Sequence, residues 1–206
     1  MRTVRPPTPA ESGIVAELVL QSDCGMLPAL FGDNVKALIS HLQTIPSNPY
    51  SAENTLVIID EARSPAVVGA LVVGALVGSL ARVIRRTNTR TAAHLFRWYG
   101  PGLVARFPAL ARAGKALDAL ESEDYYLSHI AVLPEHRGRG MGKELLLAGE
   151  EHARQQGAQR LVLDVEEHNE GARSFYERLA YRRASIISID LRRRGAFSFL
   201  RMVKGL

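Results

Sequence analysis

Leu127-Ser128-His129-Ile130-Ala131-Val132-Leu133-Pro134-Glu135-His136-Arg137-Gly138-Arg139-Gly140-Met141-Gly142 runs an apolar strand pattern through a basic, glycine-dense turn and straight into a helical pattern. Glycines at 138, 140 and 142 let backbone amides approach an anion with no Cβ in the way, and a helix opening near Met141 aims its positive dipole end at the same place. Two familiar phosphate loops fail on these letters. A nucleotide-binding loop of the GxxxxGK[ST] type needs Gly at 137 and Ser or Thr at 144, where the chain has Arg137 and Glu144; a GxGxxG dinucleotide turn needs Gly at 143, where Lys143 stands.

Working outward, Leu161-Val162-Leu163-Asp164-Val165 reads as a short buried strand, and Asn169 is a good cap for the helical pattern behind it. Ala172, Phe175, Tyr176 and Leu179 then recur on one helical face. Glycine turns also arise for packing reasons, and paired aromatics on a helix more often fill a core than catalyse. Together, however, the two segments resemble the GNAT superfamily of N-acetyltransferases. Arg137, Gly140 and Gly142 fill its acyl-CoA pattern (Gln or Arg, two residues, Gly, one residue, Gly or Ala), and Asn169, Phe175-Tyr176, Leu179 and Ala180-Tyr181 fill its second signature. The resemblance is close over residues 125–181, looser over 3–77 and at the C-terminal hairpin, and absent over 79–123.

The resemblance implies an α+β (α/β) fold: a mixed, mostly antiparallel twisted sheet of about six or seven strands with helices on both faces. It further implies acetyl-CoA as co-substrate and an amine as acceptor, with no metal. The main-chain amides of Arg139, Gly140, Met141, Gly142 and Lys143 are expected at the pyrophosphate, with Arg137, Gly138 and Asn169 beside them. The pantetheine arm is expected along Ile130, Ala131 and Val132, with an amide of that run, that of Val132 foremost, meeting the acyl oxygen. Tyr176 is the candidate donor to the departing thiolate, since a phenol stays protonated at neutral pH. The general base is left open. Related enzymes place one at the positions of Tyr126 and Ser128, neither a ready base. His129 falls on the opposite strand face unless a bulge intervenes. Glu166, Glu167 and His168 end the next strand, and a water chain through Ser128 would also serve. Tyr126, Ser128 and Glu166 are therefore carried as acceptor-side candidates.

Length and composition agree with one domain over 1–206: a chain of 206 residues can bury a substantial core unaided. One cysteine, Cys24, provides neither a disulfide framework nor a zinc ligand set, which fits a reducing, cytoplasmic compartment. The opening residues contain no continuous apolar run of a secretion signal. Net charge +5 comes mainly from scattered arginines interleaved with acids, so nucleic-acid binding is not expected, although the same charge suits a polyanionic ligand. Residues 64–81 carry no charge and include a GxxxG spacing, but Pro65, the glycines and the valines favour a buried strand over a membrane span.

Residues 3–5, 56–60, 67–77, 183–191 and 196–203 complete the expected strands, with helices over 10–21 and 27–43 and a loop at 48–51 on the acceptor side. Residues 79–123 then insert two amphipathic helical patterns between the third and fourth strands. One has Leu80, Val83, Ile84, Thr87, Thr91, Leu95 and Trp98 on its apolar face, the other Leu103, Phe107, Leu110, Leu117 and Leu120. This pair is expected to cover the acceptor side of the cleft or to form a homodimer surface; its arginines otherwise read as a solvated face. The leading expectation is an acetyl-CoA-dependent N-acyltransferase acting on a primary amine of a small molecule or peptide. A non-catalytic CoA-binding regulatory or interaction module is the alternative.

Overall fold

The computed structural model describes residues 2–46, 48–62, 66–76, 90–115, 120–121 and 123–206. In chain order the elements are β1 (Arg2–Arg5), α1 (Ser12–Ser22), α2 (Met26–Phe31), α3 (Val35–Gln43), β2 (Thr55–Asp60), β3 (Val67–Leu76), α4 (Arg90–Tyr99), α5 (Gly102–Lys115), β4 (Asp124–Val132), α6 (Met141–Gln155), β5 (Arg160–Glu166), α7 (Glu170–Arg178), β6 (Arg182–Asp190) and β7 (Ala196–Gly205). The strands form one mixed sheet ordered β1-β2-β3-β4-β5-β7-β6. Every pairing is antiparallel except β4 with β5, whose connection runs through α6, as a parallel pair requires a crossover.

Apolar side chains cover both faces. On one, Val15, Leu18 and Val19 of α1 and Ile39 of α3 pack against Val57, Ile59 and Ala131; on the other, Leu145 and Leu146 of α6 pack with Ile58, Leu71, Tyr125 and Leu127. The run Leu161, Val162, Leu163 is almost wholly buried, as expected of a central strand covered on both sides.

Two irregularities in β4 shape everything that follows. Pairing with β5 stops at Leu127 opposite Leu163, although β4 continues to Val132 and β5 to Glu166, so the strands part beyond that point. In the β3 pairing, the register jumps from Val72 opposite His129 to Val73 opposite Leu127, which leaves Ser128 as a bulged residue.

The insertion is helical where it is described, but its second apolar face differs from expectation. Ala109, Leu110 and Ala113 pack with Met26, Leu30 and Ile189, whereas Phe107 is 69% exposed. Contact with α2 and β6, rather than helical period alone, decides which side turns inward. Leu80, Val83, Ile84, Thr87 and Leu117 lie outside the described residues. Among the described residues no helix is long and apolar enough to cross a membrane.

Candidate active site

The parting of β4 from β5 opens a cavity of about 580 Å³. Its wall includes Tyr126 to Val132 of β4, Leu163 to Glu166 of β5, the α1–α2 junction with α2 and Tyr50, the end of α5, and Asn169, Ala172 and Tyr176. Immediately after β4 the amide of Leu133 donates to the carbonyl of Val68 in β3 at 2.9 Å. Because successive strand residues turn their polar groups to opposite edges, the amides of Ile130 and Val132 face the gap instead. Beyond Leu127 this edge of β4 has no partner strand among the described residues.

The glycine turn lies at the end of that edge. Gly138 and Gly140 have φ of +74° and +84°, values a side chain would strain, and Gly140 is the residue from which α6 starts. The first amide bonded back into α6 is that of Glu144, to the carbonyl of Gly140 at 3.0 Å, so those of Met141, Gly142 and Lys143 point out of the helix end. Arg137, expected at the ligand, also braces the turn: its Nε donates to the Val132 carbonyl at 2.9 Å. The side chains of Arg139 and Lys143 are exposed, whereas Met141 anchors the turn in the core at 1% exposure. These features fit an extended thioester carrying a diphosphate: an open strand edge for the amide-bearing arm and a cradle of N–H groups under positive potential.

Tyr176 stands on the cavity wall as expected, 6% exposed and packed edge-on against Phe175 and Tyr181 with ring centroids 5.2 and 5.7 Å away. Burial raises the pKa of its phenol, so it stays protonated at neutral pH. Asn169 caps α7, its Oδ1 accepting from the amide of Ala172 at 3.0 Å. Of the acceptor-side candidates, Tyr126 donates to Asp164 at 3.1 Å, and Asp164 is held by Arg201 through two bonds of 2.8 Å. That engagement, with burial as the larger cause, keeps the Tyr126 phenol protonated and unsuited to act as a base. Ser128 is the bulged residue, and Glu166 is an exposed carboxylate at the rim.

The bulge reverses one expectation. It turns His129 to the same side of the sheet as Tyr126, where Nδ1 lies 3.1 Å from Ser22 Oγ and Nε2 lies 3.4 Å from the Tyr50 hydroxyl. Strict alternation would have sent His129 to the α6 face, and nothing in the letters around Ser128 announces the extra residue. Desolvation lowers the His129 pKa to about 4, so the ring is neutral near pH 7. Tyr50 is a further cavity residue that the sequence reading reached only as part of the 48–51 loop. That loop is held by buried Asn48, whose Nδ2 donates to the carbonyls of Leu42 and Ile45 and whose Oδ1 accepts from the Tyr50 amide. Cys24 also lines the cavity, and burial raises its pKa to about 11, leaving it a thiol.

With this geometry in place, comparison with known proteins is decisive. Residues 35–181 match the model of the acetyltransferase (GNAT) family. The chain belongs to the GNAT family. Among curated GNAT relatives, N-alpha-acetyltransferase 30 of Schizosaccharomyces pombe is 41% identical over 56 residues, covering 27% of this chain and 37% of that protein. An uncharacterised Bacillus subtilis N-acetyltransferase is 44% identical over 57 residues, or 28% of this chain and 38% of its own length. The matched segments thus span well under half of either relative. A solved acetyltransferase covers 98% of both chains with a TM-score of 0.64 at 24% identity, which establishes the GNAT fold over nearly the whole length.

Proposed function

We propose that this protein is an acetyl-CoA-dependent N-acetyltransferase that transfers acetyl by direct attack of a primary amine of a small molecule or peptide. The observation that carries the reading is the parting of β4 and β5 after Leu127 and Leu163. It leaves the amides of Ile130 and Val132 facing the cavity that Arg137, the first residue of the glycine turn, and the buried Tyr176 phenol also line. When bound, acetyl-CoA supplies the activated acetyl group. The amides of residues 139–143 hold its diphosphate, with Arg137, Gly138 and Asn169 at the edge of the cradle. Ile130 to Val132 align the arm, and the Val132 amide is placed to stabilise charge on the acyl oxygen, a preorganised donor that costs no rearrangement during reaction. Tyr176 donates its proton to the departing sulfur. No metal enters this reading. The insertion belongs to the same domain, and the single cysteine is the ground for placing the protein in the cytoplasm; a homodimer through the insertion is a subsidiary reading.

Thiol release from acetyl-CoA across a panel of primary amines tests this directly. Turnover with at least one amine is expected, and Tyr176→Phe lowers kcat by about 10²-fold or more, the usual contribution of a positioned acid, with the affinity for CoA retained. Calorimetric binding of CoA without turnover on any amine points instead to a CoA-binding regulatory module. Absence of binding by folded protein overturns both.

A further inference from the structure

The Ser22, His129 and Tyr50 side chains form a hydrogen-bonded chain whose direction can be worked out from its inner end. Ser22 Oγ lies 2.7 Å from the carbonyl of Val19, one turn back in α1, and its only proton is donated there. Toward His129 Nδ1, 3.1 Å away, the same oxygen can therefore only accept, so the proton of the neutral imidazole sits on Nδ1. Nε2 is left with a lone pair facing the Tyr50 hydroxyl at 3.4 Å, and the Tyr50 ring is inclined 30° to the imidazole, with centroids 5.9 Å apart. The phenol thus donates inward to Nε2 and turns its own lone pairs to the cavity. Hydrogen bonds of this length in a ligand-free site commonly tighten when substrate binds.

On the N-acetyltransferase reading above, we propose that Tyr50 and His129 form the proton-accepting relay for the acceptor amine. As the amine nitrogen bonds to the acyl carbon, its N–H proton passes to Tyr50 Oη while the Tyr50 proton passes to His129 Nε2. The C–S bond breaks, its electron pair leaves on sulfur, and sulfur takes the proton of Tyr176. Solvent reprotonates Tyr176, and the imidazolium of His129 releases one proton as product departs, so one proton leaves the amine and one reaches the thiol. Tyr50 touches the amine; His129 acts through it. The imidazolium Nδ1–H remains bonded to Ser22, and two of the carboxylates lining the cavity, Asp23 after α1 and Glu166 on β5, favour the transient positive charge. The other titratable groups on this cavity are Cys24, Tyr126, Asp164, Arg137 and Tyr176, with Asp164 already paired to Arg201. Burial keeps the ring unprotonated down to about pH 4, so the lone pair is present throughout the physiological range.

Tyr50→Phe and His129→Gln are compared with the wild type, using a primary alkylamine and a weakly basic hydrazide as acceptors. Each variant is expected to lose about 10²-fold in kcat with the alkylamine, with the KM for acetyl-CoA unchanged, and markedly less with the hydrazide, whose nitrogen gives up its proton more readily. Nitrogen-15 NMR of the His129 ring at pH 7 is expected to show protonated Nδ1 and bare Nε2. Variants within twofold of wild-type kcat, an equal loss with both acceptors, or a protonated Nε2 would each overturn the relay while leaving the acetyltransferase reading standing. A wild type inactive on every acceptor overturns both.

Discussion

Ala180 has φ of +68°, a left-handed conformation that is uncommon for a residue with a Cβ. The reason lies at the end of α7: the Tyr181 amide bonds to the Tyr176 carbonyl at 3.1 Å and the Ala180 amide to that of Glu177 at 3.0 Å. This is the paired C-terminal closure that normally takes glycine. The closure fixes the carbonyl of Tyr176 itself and brings the Tyr181 ring against that of Tyr176. Relief of the left-handed strain outweighs the greater freedom of glycine in the unfolded chain, so Ala180→Gly should stabilise the protein by about 0.5–1 kcal/mol. Denaturant melts with unchanged m-value check it; a lower midpoint would show that the methyl is needed for packing. The doublet Ala180-Tyr181 was legible as a motif in the sequence, but its work as a strained helix end was not, because φ is set by the hydrogen bonds that surround it.

At the scale of elements, the inserted helices explain themselves through their neighbours. Arg106 of α5 stacks over Tyr99 of α4 at 4.6 Å, and Tyr99 in turn lies against Phe31 of α2, with centroids 6.4 Å apart. Trp98 stacks on His41 of α3. An arginine read from sequence as solvated thus belongs to the joint between insertion and core. That joint brings Ala113 and Gly114 to the cavity beside Leu30 and Ile189, in the same wall as Tyr126 to Val132 of β4. Ala113→Trp should therefore raise the KM of the amine acceptor about 10-fold, corresponding to about 1.4 kcal/mol of lost fit, while the KM of acetyl-CoA stays unchanged. Steady-state kinetics with each substrate varied separately decides it. Equal effects on both would place the insertion away from the acceptor.

At the scale of the whole molecule, stability depends on polar groups that tie the helical layer to the sheet. Glu150 of α6 is 1% exposed and accepts from Lys204 of β7 through two bonds of 2.8 Å and from the Tyr181 hydroxyl at 3.1 Å. Removal of this carboxylate takes the acceptor from a half-buried ammonium and a buried phenol. Glu150→Ala should cost about 3–5 kcal/mol and lower Tm by about 10 °C; a calorimetric shift under about 2 °C would show that Lys204 finds solvent instead. Most strands and helices in their chain order and the glycine-dense turn were readable from the chain, because glycine placement, helix capping and apolar periodicity act over a few residues; the mixed sheet itself followed from family resemblance. The phenol at Tyr176 was placed by family resemblance, since its letters alone equally suit a core aromatic. The bulge at Ser128, the side taken by His129, the inward face of α5 and the meeting of Ser22, Tyr50 and His129 were decided only by tertiary structure. Each depends on register or contact between segments remote in the chain, where a shift of one residue reverses the face a side chain occupies and local preference has no say.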